Sequence, residues 1–395
     1  MTDQPTPTSA PLPQRLQPEP QPELPQPEPR PAPQPTPQPD AVAAQYPSPL
    51  IPALQDEDDV RTGLHLSPMS MNFDDAFDDV DSALGDDAAS IAHSVTASIL
   101  EYRTIMGRTY HSERHDSKYF TPNDEQQMRS QDLTHHYLTL LLDNKLFLAP
   151  VGEDMKRVLD VGTGTGIWAI DMGDRYPGAE VTGTDLSPTQ PPWVPPNVRF
   201  RIDDCTQDWS LPADAYDLVH LRYLFGAVAD WRHLLRNAFR CCHPGSGWAQ
   251  SVECDVIICS DDASVPEGGA IETFWNPLWR EMTKNLGISF QVLEERLQIE
   301  AFEEAGFVDI TEVNFKLPVG GWPRDPKLAE VGEFVLLTMI NDLEGYTLLP
   351  WNIIHGENTP GYREILYRLR RELRSKSMHG YMKVRYMYGR KPEHA

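Results

Sequence analysis

The chain has 395 residues, 40% of them apolar and 9% aromatic, enough to bury a large core, yet it also carries 37 prolines and a net charge of −25. A charge of that sign argues against direct binding to nucleic acid, because neutralising phosphates drives such affinity. No uninterrupted apolar run is as long as a membrane span, and the amino terminus lacks the basic-then-apolar order of a signal peptide.

The proline and charge excess is local. Fifteen of the first 40 residues are proline, and residues 1–90 carry 16 acids against three bases, −13 of the total. Such a segment favours polyproline II and cannot bury a core. Residues 1–90 are therefore expected to be a disordered tail, either a solubilising spacer or a segment that docks on aromatic grooves of protein partners. Residues 91–395 read as one α/β domain: helices over 91–150, a core over 157–317, a cap insertion over 318–379 and a last strand over 380–391. The cysteines, Cys205, Cys241, Cys242, Cys254 and Cys259, form no C-x-x-C pair and are odd in number, which reads as reduced thiols inside a cell.

His111 and His115 have i, i+4 spacing, but "HSERH" is not H-E-x-x-H and no third ligand stands out, so no metal site is expected. Thr121-Pro122-Asn123-Asp124 predicts a helix start, with Thr121 as N-cap, Pro122 in the first turn and Asp124 completing a capping box. The helix runs to about Leu142. Of its pair His135 and His136, one is expected to face the core and one a cleft.

From Arg157 short β-branched runs alternate with helical ones: "RVLDVG", "AEVTGTDL", "VRFRIDD", "YDLVHLRY" and "GWAQSVECDV". That alternation predicts a parallel sheet with right-handed crossovers. A sixth strand, "VDITEVNFKL", should be parallel to these five, and "YMKVRYMYGRK" returns late as a seventh.

The first strand opens into "VGTGTGIWA". Gly162, Gly164 and Gly166 spell G-x-G-x-G after Asp160, whereas Gly164, Gly166 and Ala169 spell the dinucleotide pattern G-x-G-x-x-A. Asp185, at the end of the second strand, suits a ribose diol in either ligand. Asp203 and Asp204 end the third strand, where a carboxylate meets an adenine amino group and the backbone at Cys205 meets the ring. An acid at each of three successive strand ends fits S-adenosylmethionine better than a dinucleotide.

The stretch from Val158 to Cys205 resembles the cofactor half of a class I S-adenosylmethionine-dependent methyltransferase, and specifically the fungal LaeA-like (UMTA) family. The likeness extends to "GRTYHSERHDSKYFTPNDEQQMRSQDLTHH", "YDLVHLRYLFGAVADW", "AGFVDITEVNFKLPVGGWPRD" and "YMYGRKP". "HPGSGW" departs from the family's "KPGGW" by one extra residue at Ser246. The resemblance implies a Rossmann-like, seven-stranded, mostly parallel sheet. It also implies a site built on Asp160, Gly162, Thr163, Gly164, Gly166, Asp185, Leu186, Asp203, Asp204 and Cys205.

It further implies a regulator of fungal secondary metabolism and development, placed in the nucleus and/or cytoplasm. The alternatives are a small-molecule methyltransferase of a natural-product pathway and a non-catalytic scaffold that retains the fold. His220 and Arg222, at the end of the fourth strand, are the candidates for a catalytic or substrate-contacting role, a structural histidine being the alternative for His220. Glu253 is a candidate base or a partner for arginine. The aromatics Trp322, Phe334, Tyr346 and Trp351 of the cap, with Phe274, Trp275 and Trp279, are expected to line an acceptor pocket or to seal the cap. The run "RLRRELRSK", with Leu369 and Leu373 interleaved, reads as a solvated helix face.

Overall fold

The computed structural model describes Met1 and residues 102–111, 119–357 and 359–394. The expectations for residues 2–101 and for His115 lie outside the described residues. The chain divides into two units, Met1–Asp78 and Asp79–Ala395, and the architecture below belongs to the second.

A hairpin, β1 (Arg103–Ile105) and β2 (Arg108–Tyr110), comes first, where only helices are expected. Its two-residue turn is Met106-Gly107, both at positive φ (47° and 82°), the conformation that matches strand twist. Helix α1 (Glu125–Leu141) follows. Its N-cap is Asp124, whose side chain accepts from the Gln127 N–H, so the predicted start at Thr121 lies three residues early. A tie to the hairpin sets this: the Asn123 N–H donates to the Thr109 carbonyl of β2 at 2.9 Å, outside the helix.

Strands β3 (Arg157–Val161), β4 (Glu180–Asp185), β5 (Val198–Ile202), β6 (Leu218–Arg222) and β7 (Trp248–Cys259) are mutually parallel. Between them run α2 (Ile167–Arg175) and α3 (Trp231–Cys241). A π-helical turn (Ile271–Trp275) leads into α4 (Asn276–Leu286), and α5 (Leu297–Ala305) precedes β8 (Val308–Pro318). The cap helices α6 (Pro326–Asn341), α7 (Leu343–His355) and α8 (Tyr362–Leu373) come before β9 (Tyr381–Arg390). The sheet order is β5-β4-β3-β6-β7-β9-β8, with β9 antiparallel to both neighbours. Strand β8 thus points the same way as the first five, as its sequence suggested.

Apolar faces explain the layers. Leu138, Leu141 and Leu142 of and after α1 share one core with Val331, Val335 and Met339 of α6, Leu366, Leu369 and Leu373 of α8, and Val384 and Tyr386 of β9. The arginines of α8 therefore face outward, and Arg368 and Arg371 are exposed. Phe274, Trp275 and Trp279 are buried in this same core, so of their two expected fates they seal the cap and do not line an acceptor pocket. The residue added at Ser246 is absorbed by a turn that the Gly247 N–H closes on the His243 carbonyl at 2.8 Å.

Candidate active site

Strand order reverses at β3, whose neighbours lead to β4 on one side and β6 on the other, and a crevice opens at the carboxyl ends there. The turn after β3 is built for close approach. Gly162 has φ +69°, and a Cβ on it would sit 2.5 Å from Leu224 Cδ2, so both backbone and space exclude a side chain. Beneath the turn, the buried Asp160 carboxylate accepts from Thr163 Oγ at 2.6 Å. Asp185 ties the turn to β4, accepting from the Gly164 N–H at 2.8 Å and the Ser187 N–H at 3.0 Å. Burial raises both carboxyls to about 6, against the pull of these donors.

A cavity spans these strand ends. Its floor includes Gly162, Thr163, Gly164, Asp185, Leu186, Asp203, Cys205 and Arg222. Its roof is Tyr119–Asn123, with Gln127, Gln131 and Thr134 of α1 and Tyr346 of α7. Sequence reasoning missed nearly all of the roof. A signal was present: Gln127, Gln131 and Thr134 recur at i, i+4 and i+7, a polar stripe along one face of α1.

Four predicted site residues do not line the cavity. Asp160 acts through Thr163. Gly166 starts α2 at φ +80°, packed so that a Cβ would meet Phe200 Cζ at 2.4 Å. Asp204 turns back to accept from the N–H and hydroxyl of Thr206 at 2.9 and 2.7 Å. His220 is 1% exposed, its ring stacked 3.9 Å from that of Trp168 and its Nδ1 3.4 Å from Gln250 Nε2. Burial lowers its pKa well below the usual range, so it is a neutral core ring.

Arg222, by contrast, lines the cavity and donates to His135 Nδ1 at 3.1 Å. His135 is buried, with Nε2 2.9 Å from Asp171 Oδ2, while His136 packs edge-on against Phe334 of α6. His111 Nδ1 lies 2.7 Å from Ser187 Oγ. Glu253 is neither a base in the cavity nor an arginine's partner: it accepts from the N–H groups of Leu224 and Phe225. Of the cap aromatics, Tyr346 lines the cavity; Trp322 instead donates its indole N–H to the Gly380 carbonyl at 3.0 Å.

Residues 133–312 match a family model described as a methyltransferase domain. The chain is 38% identical over 263 residues to Methyltransferase pytC of Aspergillus terreus, covering 66% of this chain and 79% of that one. It is 34% identical to Secondary metabolism regulator LAE1 of Cochliobolus heterostrophus over 292 residues, covering 73% of this chain and 94% of that one. The chain belongs to the LaeA-like methyltransferases. A further relative, Protein-methionine methyltransferase laeA of Emericella nidulans, is 31% identical over 294 residues, 74% of this chain and 77% of that one.

The cavity fits the cofactor of a LaeA-like enzyme, S-adenosylmethionine. The Asn123 side-chain amide and Gln127 Oε1 line it and are buried without a hydrogen-bond partner among the described residues. Buried polar atoms left unpaired cost about 1 to 3 kcal/mol each, and a ligand rich in donors and acceptors satisfies them. The LaeA-like chain is a methyltransferase that depends on this cofactor.

Proposed function

We propose that this methyltransferase regulates fungal secondary metabolism and development, working through protein partners in the nucleus and/or cytoplasm. The observation that carries the reading is the likeness to LAE1, named a secondary metabolism regulator, over 94% of its length.

When bound, the cofactor supplies an electrophilic methyl group on a sulfonium. The chain's own residues bind and orient. Asp185 would hold the ribose hydroxyls with the lone pairs left over from Gly164 and Ser187, and Asp203 with the Cys205 backbone would hold the adenine. The backbone of Gly162–Gly164 approaches the amino-acid portion, and the roof of Tyr119–Asn123 and α1 excludes water. Since such transfer is an in-line displacement, positioning supplies much of the rate.

A second reading is methylation of a small natural product; the 38% identity to Methyltransferase pytC supports methyl transfer under either reading. Calorimetry on the purified protein tests the shared chemistry. It should bind S-adenosylmethionine and not NAD, and Asp185→Ala should weaken binding about ten- to a hundredfold, one charge-assisted bond's worth. Tight NAD binding alone would overturn the assignment. Introducing Asp185→Ala into the host then separates the two roles. Loss of several unrelated metabolites supports the regulator; accumulation of one unmethylated precursor supports the pathway enzyme. An unchanged metabolite profile in a variant that no longer binds cofactor sinks both and leaves a scaffold.

A further inference from the structure

Strands β5, β4, β3 and β6 are successive neighbours, so Asp203, Asp185, the Gly162–Gly164 turn and Arg222 stand in a row along the carboxyl edge. An adenine at Asp203 and a ribose at Asp185 leave the amino-acid end of the cofactor over β3 and β6. Arg222 is there. Among the described residues lining the cavity it is the one with a permanent positive charge.

Among the described residues no carboxylate is hydrogen-bonded to Arg222, although its charge pulls down the pKa of the buried Asp160 nearby. Among the described residues, the hydrogen bond made by Arg222 runs from Nη1 to His135 Nδ1, at 3.1 Å. A guanidinium only donates, so Nδ1 must present its lone pair and the ring proton sits on Nε2, facing Asp171 Oδ2 at 2.9 Å. Burial, with the adjacent guanidinium, lowers the His135 pKa and favours this neutral form. The half-exposed Asp171 of α2 thus fixes the tautomer and His135 of α1 holds one arm of the fork, while the other donors of Arg222 stay available.

We propose that Arg222 seats the carboxylate of the cofactor's amino-acid portion, and that His135, oriented by Asp171, is the positioning residue that aims it. The assignment rests on the cofactor reading above. A fork of parallel N–H donors matches a carboxylate in shape and charge. It also explains why a neutral ring and not an acid supports the arginine: a bonded acid would compete for the same donors.

Calorimetry with two nucleosides tests this in the full chain. S-adenosylhomocysteine carries the carboxylate; 5′-methylthioadenosine keeps the adenosine and thioether but lacks the amino acid. Arg222→Gln should weaken the first about ten- to a hundredfold and leave the second unchanged, which also shows that the variant is folded. His135→Leu should show the same selective loss, and His135→Gln, whose amide can accept from Arg222 and donate to Asp171, should restore it. Equal loss for both nucleosides, or none for either, overturns the assignment. So does an Arg222→Gln variant with normal S-adenosylhomocysteine affinity and a raised acceptor KM, which would put the guanidinium on the acceptor. Wild-type protein that binds neither nucleoside overturns the cofactor reading and this assignment with it.

Discussion

Glu253 shows how a single carboxyl group shapes the cavity without entering it. Fully buried on β7, it accepts from the Leu224 and Phe225 N–H groups at 3.2 and 3.0 Å, and so holds the loop that follows Arg222. Burial pushes its pKa up to about 8, above the free value of 4.5. A group raised in the folded state contributes stability that is complete below its unfolded pKa and lost as pH rises through the folded one. The melting temperature of the wild type should therefore fall between about pH 4.5 and 8 and level off above, and that of Glu253→Gln should fall less. Parallel slopes for the two proteins between about pH 5 and 8 would refute this. Asp185 is shifted in the same direction by burial, to about 6. The positions of Asp185 and Gly162 were legible in the sequence because a strand end and a tight turn are set by local order. The role of Glu253 was not, since its partners come from a loop 28 and 29 residues earlier that folding alone brings beside it.

At the scale of elements, one arginine joins three of them. Arg108 of the β1–β2 hairpin pairs with Asp124, the N-cap of α1, and with Asp342, whose carboxylate also caps α7 through the Gly345 N–H at 3.0 Å. The Asp342 side chain is 0% exposed and that of Asp124 25%. Removing the cation leaves a buried charge short of its partner, which typically costs about 3 to 5 kcal/mol. Removing the half-buried cap should cost about 1 to 2 kcal/mol. Urea unfolding should accordingly rank Arg108→Ala well below Asp124→Ala in stability; the reverse order would mean that the clamp is not what secures the roof. The hairpin escaped sequence reasoning for a physical reason. Strands of three residues are too short to show alternation, and Met106 replaces the usual Asn or Asp of such a turn. The alternating core strands, each with a helix or loop to its neighbour, were readable from periodicity alone.

For the molecule as a whole, composition predicts that residues 1–88 add little to the fold, because a proline-rich acidic segment has little apolar surface to bury. Deleting them should leave the melting temperature and the cofactor affinity nearly unchanged; a large drop in either would show that the segment packs on the domain. Of the two fates open to the aromatics of the cap and of the loop after β7, most have the sealing one, and Tyr346 lines the cavity. Period and polarity do not distinguish a ring that faces a ligand from one that faces another ring. Strand β9 has a consequence of a different kind. It pairs on one side with β7, from Trp248 opposite Arg390 to Cys259 opposite Tyr381, and on the other with β8. A polypeptide that stops before Tyr381 would keep every described residue that lines the cavity and still present two long, bare strand edges. Such edges are templates for pairing with other chains, so truncations here should be cleared as aggregates by the cell rather than persist as weakened enzymes.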